Sequence, residues 1–165
     1  MATLMAQRST CRRLQVGAVI TSTDYRYVYG IGFNGNAAGL PNDCDSDEVG
    51  KCGCIHAEAN AVINCTVART VPKYVFCTDL PCVGCAKVLI NLGGVERVYY
   101  ARDYRIKDSL ALFERVGIKA WGPECGACAS ERFTSGSWGM LHTCERVETP
   151  VSVCTLCPRR RRSAA

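Results

Sequence analysis

The chain has 165 residues, 48% of them apolar, with 20 basic and 15 acidic side chains for a net charge of +5. That is enough for one domain with a real core and a small appendage. No run of about 18 apolar residues offers a membrane span, and residues 1–13 hold no signal-peptide region. The 13 cysteines therefore point to reduced thiols and metal ligands in a cytoplasmic, reducing compartment, not to a disulfide framework.

The charge sits mainly in the arginine run 159–162, and without it the balance is about +1. A basic terminal run is ordinarily a solvated tail, so nucleic acid is not expected as a partner.

In chain order, residues 2–13 read as a short helix, with Arg8, Arg12 and Arg13 available to solvent or phosphate. Residues 16–21 are apolar and β-branched, a strand. Residues 21–24 form a turn. Residues 25–33, with Tyr25, Tyr27 and Tyr29 alternating, form the second strand of an antiparallel hairpin. A long loop, 36–54, holds Asp43, Asp45, Asp47, Glu48 and three cysteines. Residues 55–68 read as a helix carrying His56 and Glu58 in its first turn. A strand at 73–78 and a helix at 82–92, closed by Gly93-Gly94, come next. A strand at 95–100, a helix at 107–116 and a last strand at 118–121 complete the series. Alternating α and β units imply a largely parallel sheet beyond the hairpin, with helices on both faces. The composition shifts at Gly122-Pro123. Residues 1–122 are expected as one domain, 123–158 as a Cys-rich extension and 159–165 as a basic tail.

His56, Cys82 and Cys85 are three donors suited to one zinc ion. Three protein ligands leave the fourth tetrahedral position open, the mark of a catalytic site, where a water loses its proton readily. Glu58, two residues past the histidine, is placed to shuttle that proton. Cys82 and Cys85 fall one turn apart at a helix start, where Pro81 favours helix entry and the helix N-terminus favours thiolate. A structural zinc or unrelated buried residues is the weaker reading, because both halves occur in one chain. Further on, Cys125, Cys128, Cys154 and Cys157 form a CxxC…CxxC pattern, a closed four-thiolate site of the zinc-ribbon kind. The segment between those pairs is poor in apolar residues, so metal would supply its folding energy. His142 or Cys144 is a possible substitute ligand. Cys65 and Cys77 lie in regular elements and read as core residues.

The pattern His-x-Glu followed by Pro-Cys-x-x-Cys is a signature of zinc nucleobase deaminases. The chain resembles the cytidine deaminase-like superfamily in both halves. Ser9-Thr10-Cys11, Val16-Gly17-Ala18-Val19-Ile20, Gly32-Phe33-Asn34-Gly35 and His56-Ala57-Glu58-Ala59-Asn60-Ala61 are similar to the deoxycytidylate (dCMP) deaminase family, phage members included. Free-nucleoside cytidine deaminases usually place cysteine where this chain has His56. The likeness covers roughly residues 4–121. The N-terminal helix is shorter than is usual in the family, and the segment after 122 has no counterpart in it.

The resemblance implies an α/β fold: a three-layer α-β-α arrangement with a five-stranded mixed sheet, carrying here a small Cys-rich zinc-binding extension. It implies hydrolysis of dCMP to dUMP and ammonia. Zinc would be held by His56, Cys82 and Cys85, with water attacking C4 of the cytosine. Glu58 would protonate N3 and the leaving ammonia. Asn34 resembles the asparagine that reaches the sugar hydroxyl, or is a turn residue before Gly35. Ala57 and Thr78 would line the base pocket, mostly through backbone groups. Tyr104 would close over the nucleotide, or is a surface tyrosine. Phage members resemble this chain in carrying a second zinc, here implied at Cys11, Cys44, Cys52 and Cys54. The phosphate needs a cation, and Arg12, Arg13 and Arg102 are all candidates. A homo-oligomer is expected, with dCTP and dTTP as possible effectors. Two other classes compete: a tRNA adenosine or cytidine deaminase gripping RNA through the C-terminal zinc and arginine segment, and a non-enzymatic zinc-ribbon module. An intact Glu58 argues against the latter.

Overall fold

In the computed structural model, which describes residues 1–48 and 51–123, the chain opens with α1 (Ala2–Ala6). This helix is much shorter than the 2–13 span expected. Ser9 and Thr10 divert the chain: Ser9 Oγ donates to the Asn34 carbonyl at 2.8 Å and accepts from Cys11 N at 3.2 Å. Hydroxyls that bond backbone compete with helix continuation.

β1 (Gly17–Ser22) and β2 (Val28–Phe33) form the antiparallel hairpin. β2 starts three residues later than the tyrosine alternation indicates. Ser22 Oγ accepts from Tyr27 N at 3.0 Å, Asp24 Oδ1 accepts from Arg26 N at 3.2 Å, and Tyr25 adopts φ 63°. Side chains that capture local backbone in this way make turns. The Tyr25 ring packs instead on Tyr74, at 5.7 Å between centroids.

The remaining elements are α2 (Ala57–Ile63), β3 (Lys73–Asp79), α3 (Val83–Leu92), β4 (Val95–Arg102), α4 (Asp108–Arg115) and β5 (Lys119–Trp121). Their order matches the sequence pattern, with α2 shorter at both ends. The sheet runs β2-β1-β3-β4-β5. β1 is antiparallel to both its neighbours, and β3, β4 and β5 are mutually parallel. It is the five-stranded mixed sheet that the resemblance implies.

Strand alternation sorts the two faces. Ala18 and Ile20 of β1, Val75 of β3 and Val98 of β4 face Ala57 and Ala61 of α2, Ala86 and Leu89 of α3, and Phe113 of α4. Leu89 and Phe113 are wholly buried, and each contributes about 1.5–3 kcal/mol by leaving water. Gly17, on the other face, lies under α1: a Cβ there would fall on the Ala2 carbonyl and Ala6 N. Gly30 and Gly32 of β2 let α2 lie directly on the sheet, since a Cβ on either would strike the Ala61 or Ala57 carbonyl. That close approach sets the height of the α2 N-terminus above the sheet.

Candidate active site

His56 is the N-cap of α2 and Cys82 the N-cap of α3, both with extended backbone. The helices expected from residues 55 and 82 therefore begin two residues and one residue later, at Ala57 and Val83, with the donor residue just outside each. The histidine ring does not cap its own helix. Its Nδ1 lies 3.6 Å from Cys82 Sγ and 3.3 Å from Cys85 Sγ. A tetrahedral zinc with Zn–S of about 2.3 Å and Zn–N of about 2.0–2.1 Å separates N from S by about 3.6 Å. The three donors, all within 4.8 Å of one another, fit that ion, and no fourth protein donor closes the set among the described residues.

The electrostatics agree with ligation. Cys82 is held down to about 3 by the Cys85 thiol and by His56, with the Cys85 backbone N–H at 3.5 Å helping. Cys85 is pushed up by sharing its proton with Cys82 and by burial. His56 is raised, chiefly by its contact with Cys82. A divalent cation at this point would displace the one remaining thiol proton.

Glu58 lies in the first turn of α2 and is only 4% exposed. Burial raises its pKa, against its own backbone N–H and the His56 charge. Burial that raises a carboxyl in this way suits it to take a proton and give it back. Cys77, fully buried beside it, is also pushed up by burial and remains a thiol. This agrees with its reading as a core residue.

A second cluster lies just upstream. Cys11, Cys52 and Cys54 bring their sulfurs within 4.8 Å of one another. Cys44 Sγ lies 3.8 Å from both Cys11 Sγ and Cys54 Sγ. A tetrahedral four-thiolate zinc separates its sulfurs by about 3.8 Å, so these donors fit a closed structural ion. Burial alone would raise Cys11, but backbone donors at Leu14 and Arg13 and the neighbouring thiols bring it to about 7. Burial and those same neighbours raise Cys54. The loop around the cluster is tied down on every side. Arg12 pairs with Asp43, Thr10 Oγ1 donates to Asn42 at 3.0 Å, and Asn36 Nδ2 donates to Asp45 at 2.8 Å.

The substrate residues expected from the resemblance are placed as follows. Asn34 is buried and braces the chain before β1: Nδ2 donates to the Leu14 carbonyl at 2.7 Å and Oδ1 accepts from Val16 N at 2.8 Å. Ala57 is wholly buried with its side chain in the core, so only its backbone can face a ligand. Thr78 Oγ1 accepts from Gly17 N at 3.1 Å and donates to Asp79 Oδ2 at 2.8 Å. Tyr104 is half-buried in the loop after β4, with the Arg105 guanidinium 5.6 Å over its ring. Cys125, Cys128, Cys154 and Cys157 lie outside the described residues, as does nearly all of the 123–165 segment. Sequence reading quoted Ser9 only as part of a family motif, without its bond to Asn34, and did not single out the Asp79–Arg102 ion pair at 2.8 Å. The ion pair is visible only once β3 and β4 are known to run parallel in register.

A mixed five-stranded sheet thus carries, at the starts of two helices, three clustered metal donors with a buried carboxyl beside them. The model of the cytidine and deoxycytidylate deaminase zinc-binding region matches residues 1–102. ComE operon protein 2 of Bacillus subtilis (strain 168) is 38% identical over 128 residues, which are 70% of this chain and 63% of that protein. The deoxycytidylate deaminase of Mycobacterium phage D29 is 36% identical over 117 residues, 62% of this chain and 89% of the phage protein. The dCMP deaminase of cyanophage S-TIM5, solved with dCMP and dUMP, superposes with a TM-score of 0.66 at 29% identity. That match covers 74% of this chain and 90% of the phage chain. The chain belongs to the cytidine and deoxycytidylate deaminase family.

Proposed function

We propose that this chain is a zinc-dependent deoxycytidylate deaminase, converting dCMP and water to dUMP and ammonia. The observation that carries the reading is Glu58, a buried carboxyl raised by its burial, in the helical turn that follows the metal-donor histidine. Zinc held by His56, Cys82 and Cys85 would supply Lewis-acid chemistry, lowering the pKa of water to about 7. Glu58 accepts the proton of the attacking water, delivers it to N3 of the cytosine, and carries the next proton to the departing amino group. One carboxyl thus acts as base and then as acid. Ala57 would offer backbone to the base, Thr78 would line the pocket beside it, Asn34 would reach the sugar hydroxyl, and Tyr104 of the loop after β4 would close over the nucleotide.

The same reading places a structural zinc at Cys11, Cys44, Cys52 and Cys54, supported by the sulfur spacing. A third zinc at Cys125, Cys128, Cys154 and Cys157 rests on sequence spacing. A homo-oligomer, dCTP and dTTP as effectors, and a cytoplasmic location belong to it too. No helix among the described residues is long and apolar enough to cross a membrane.

Ammonia release from dCMP, CMP, deoxycytidine, 5-methyl-dCMP and a tRNA anticodon stem-loop tests the substrate class. Turnover of dCMP well above the others is the expected result. Turnover of the stem-loop alone would replace this reading with that of a nucleic-acid deaminase.

A further inference from the structure

α2 is laid along the outer edge of the sheet in one fixed register. β2 is an edge strand, and the carbonyls of its alternate residues Phe33, Ile31 and Tyr29 are taken in turn by Asn60, Asn64 and Thr66. Asn60 Nδ2 donates to the Phe33 carbonyl at 2.8 Å, Asn64 Nδ2 to the Ile31 carbonyl at 3.0 Å, and Thr66 N to the Tyr29 carbonyl at 3.0 Å. The spacings match. Asn60 and Asn64 are about 6 Å apart along a helix axis, and Phe33 and Ile31 about 6.6–6.8 Å apart along a strand. The carbonyls between them, of Gly30 and Gly32, turn to the β1 side, because carbonyls alternate along an antiparallel strand. A one-residue slip of α2 along β2 would therefore leave both amides without an acceptor.

Asn60 and Asn64 differ in what their bonds enclose. Ile55 and Gly35 exchange backbone bonds of 2.8 and 3.2 Å, and Asn60 holds Phe33. Residues 55–60 are thus clipped at both ends onto residues 33–35, with His56 and Glu58 between the clips. Asn60 N also donates to the His56 carbonyl at 3.0 Å. This one residue therefore bonds the metal-donor residue through its backbone and the sheet through its side chain. The segment 33–35 is itself fixed: Ser9 Oγ donates to the Asn34 carbonyl, and the Asn34 amide holds the backbone of Leu14 and Val16. Asn60 is half-buried, where water does not simply replace a lost bond. Asn64, the C-cap of α2, is exposed and lies beyond the clip.

Inside the clip Glu58 is buried and its carboxyl reaches the Cys85 thiol of α3. Proton transfer to and from a bound base tolerates little error in that position, since a misplacement of about 1 Å costs on the order of 10²-fold in rate. Gly30 and Gly32 set the height of α2 above the sheet, and the Asn60 amide sets its place along β2. We infer that Asn60 is a positioning residue for the reaction, the side chain that holds Glu58 and His56 at a fixed distance from the Asn34 segment. The inference rests on the deaminase reading for the reaction and not for the clip itself.

Two matched substitutions test it in the full-length zinc-loaded chain. Asn60→Asp keeps the size of the side chain and removes its donor, and Asn64→Asp makes the same change outside the clip. Asn60→Asp keeps its zinc and lowers kcat for dCMP by about 10–100-fold, with KM within about threefold of wild type. Asn64→Asp changes kcat and KM by less than about threefold, the loss of one exposed bond. Asn60→Ala, whose better helix propensity offsets part of the lost bond, gives the same reading should Asn60→Asp not fold. Wild-type kcat in the Asn60 variants, or equal losses of kcat at positions 60 and 64, would overturn the assignment. Amide hydrogen exchange at Ala61 and Val62, followed without substrate, is faster in the Asn60 variants than in Asn64→Asp; equal exchange would overturn the clip. A fully metallated wild type that leaves dCMP unchanged, with those amides still dependent on Asn60, would uphold the clip and reject the deaminase reading.

Discussion

Cys54 and His56, two residues apart, serve different donor clusters. Cys54 Sγ lies 3.8 Å from Cys44 Sγ, and His56 Nδ1 lies 3.3 Å from Cys85 Sγ. Ile55 between them is pinned to Gly35 by two backbone bonds of 2.8 and 3.2 Å. The four-thiol cluster is therefore joined, through the bridged Ile55, to the residue that offers the imidazole donor. Cys44→Ser should remove one zinc and leave the His56 ion in place. Turnover should fall by about 10–100-fold, as for a residue that orients a ligand from behind. Metal analysis alongside dCMP kinetics checks this; wild-type turnover with one zinc fewer would contradict it.

Asn34 uses both ends of its amide on the backbone of Leu14 and Val16. Asn34→Ala leaves a buried N–H and a carbonyl without their partner, a loss of about 1–3 kcal/mol. The urea midpoint of the variant should fall by the corresponding amount. An unchanged midpoint with a raised KM would show instead that this amide acts on the sugar and not on the fold.

Gly32 has no room for a methyl group under the Ala57 carbonyl and Ala61 N. Gly32→Ala should destabilise by about 1–3 kcal/mol, the usual effect of overpacking. Because the same helix carries Glu58 and follows His56, kcat should fall together with Tm. A variant with a lower Tm and wild-type kcat would mean that α2 adjusts without moving the site.

Lys73 is wholly buried, and its Nζ donates to the carbonyls of Gly93 at 2.8 Å and Ala68 at 3.2 Å. Burial lowers its pKa from 10.5. Between the folded value and 10.5 the unfolded chain binds more proton, so this group's contribution to stability rises with pH across that window. Lys73→Met should cost about 1–3 kcal/mol through the unpartnered carbonyls and should flatten the rise. Urea unfolding at neutral pH and at about pH 10 measures both effects. A profile in which the wild type and the variant remain parallel would contradict the burial argument.

The order of elements and the grouping of His56, Cys82 and Cys85 were legible because each rests on local signals. Histidine and cysteine at helix starts, glycines after helices, and alternation of strands with helices all act over a few residues. What sequence did not reveal depends on long-range partners. Ser9 stops α1 because its hydroxyl meets Asn34, 25 residues away. Tyr25 leaves the strand pattern because Ser22 and Asp24 capture the turn backbone and Tyr74 offers its ring a partner. Arg12, Arg13 and Arg102 looked equivalent until the fold gave Arg12 an acidic loop and Arg102 an aspartate on the next strand. The second thiol cluster was implied by family likeness, and its sulfur spacing emerges only when Cys44, Cys52 and Cys54 come back to Cys11.

The most direct test of the account is release of ammonia from dCMP by the zinc-loaded chain and by its Glu58→Gln variant. The wild type should form one dUMP and one ammonia for each dCMP consumed. The variant should keep its fold and zinc while losing at least about 10²–10⁴-fold in rate, the usual range for removing a general acid–base group. A wild-type rate in the variant, or a fully metallated wild type that leaves dCMP unchanged, would contradict it.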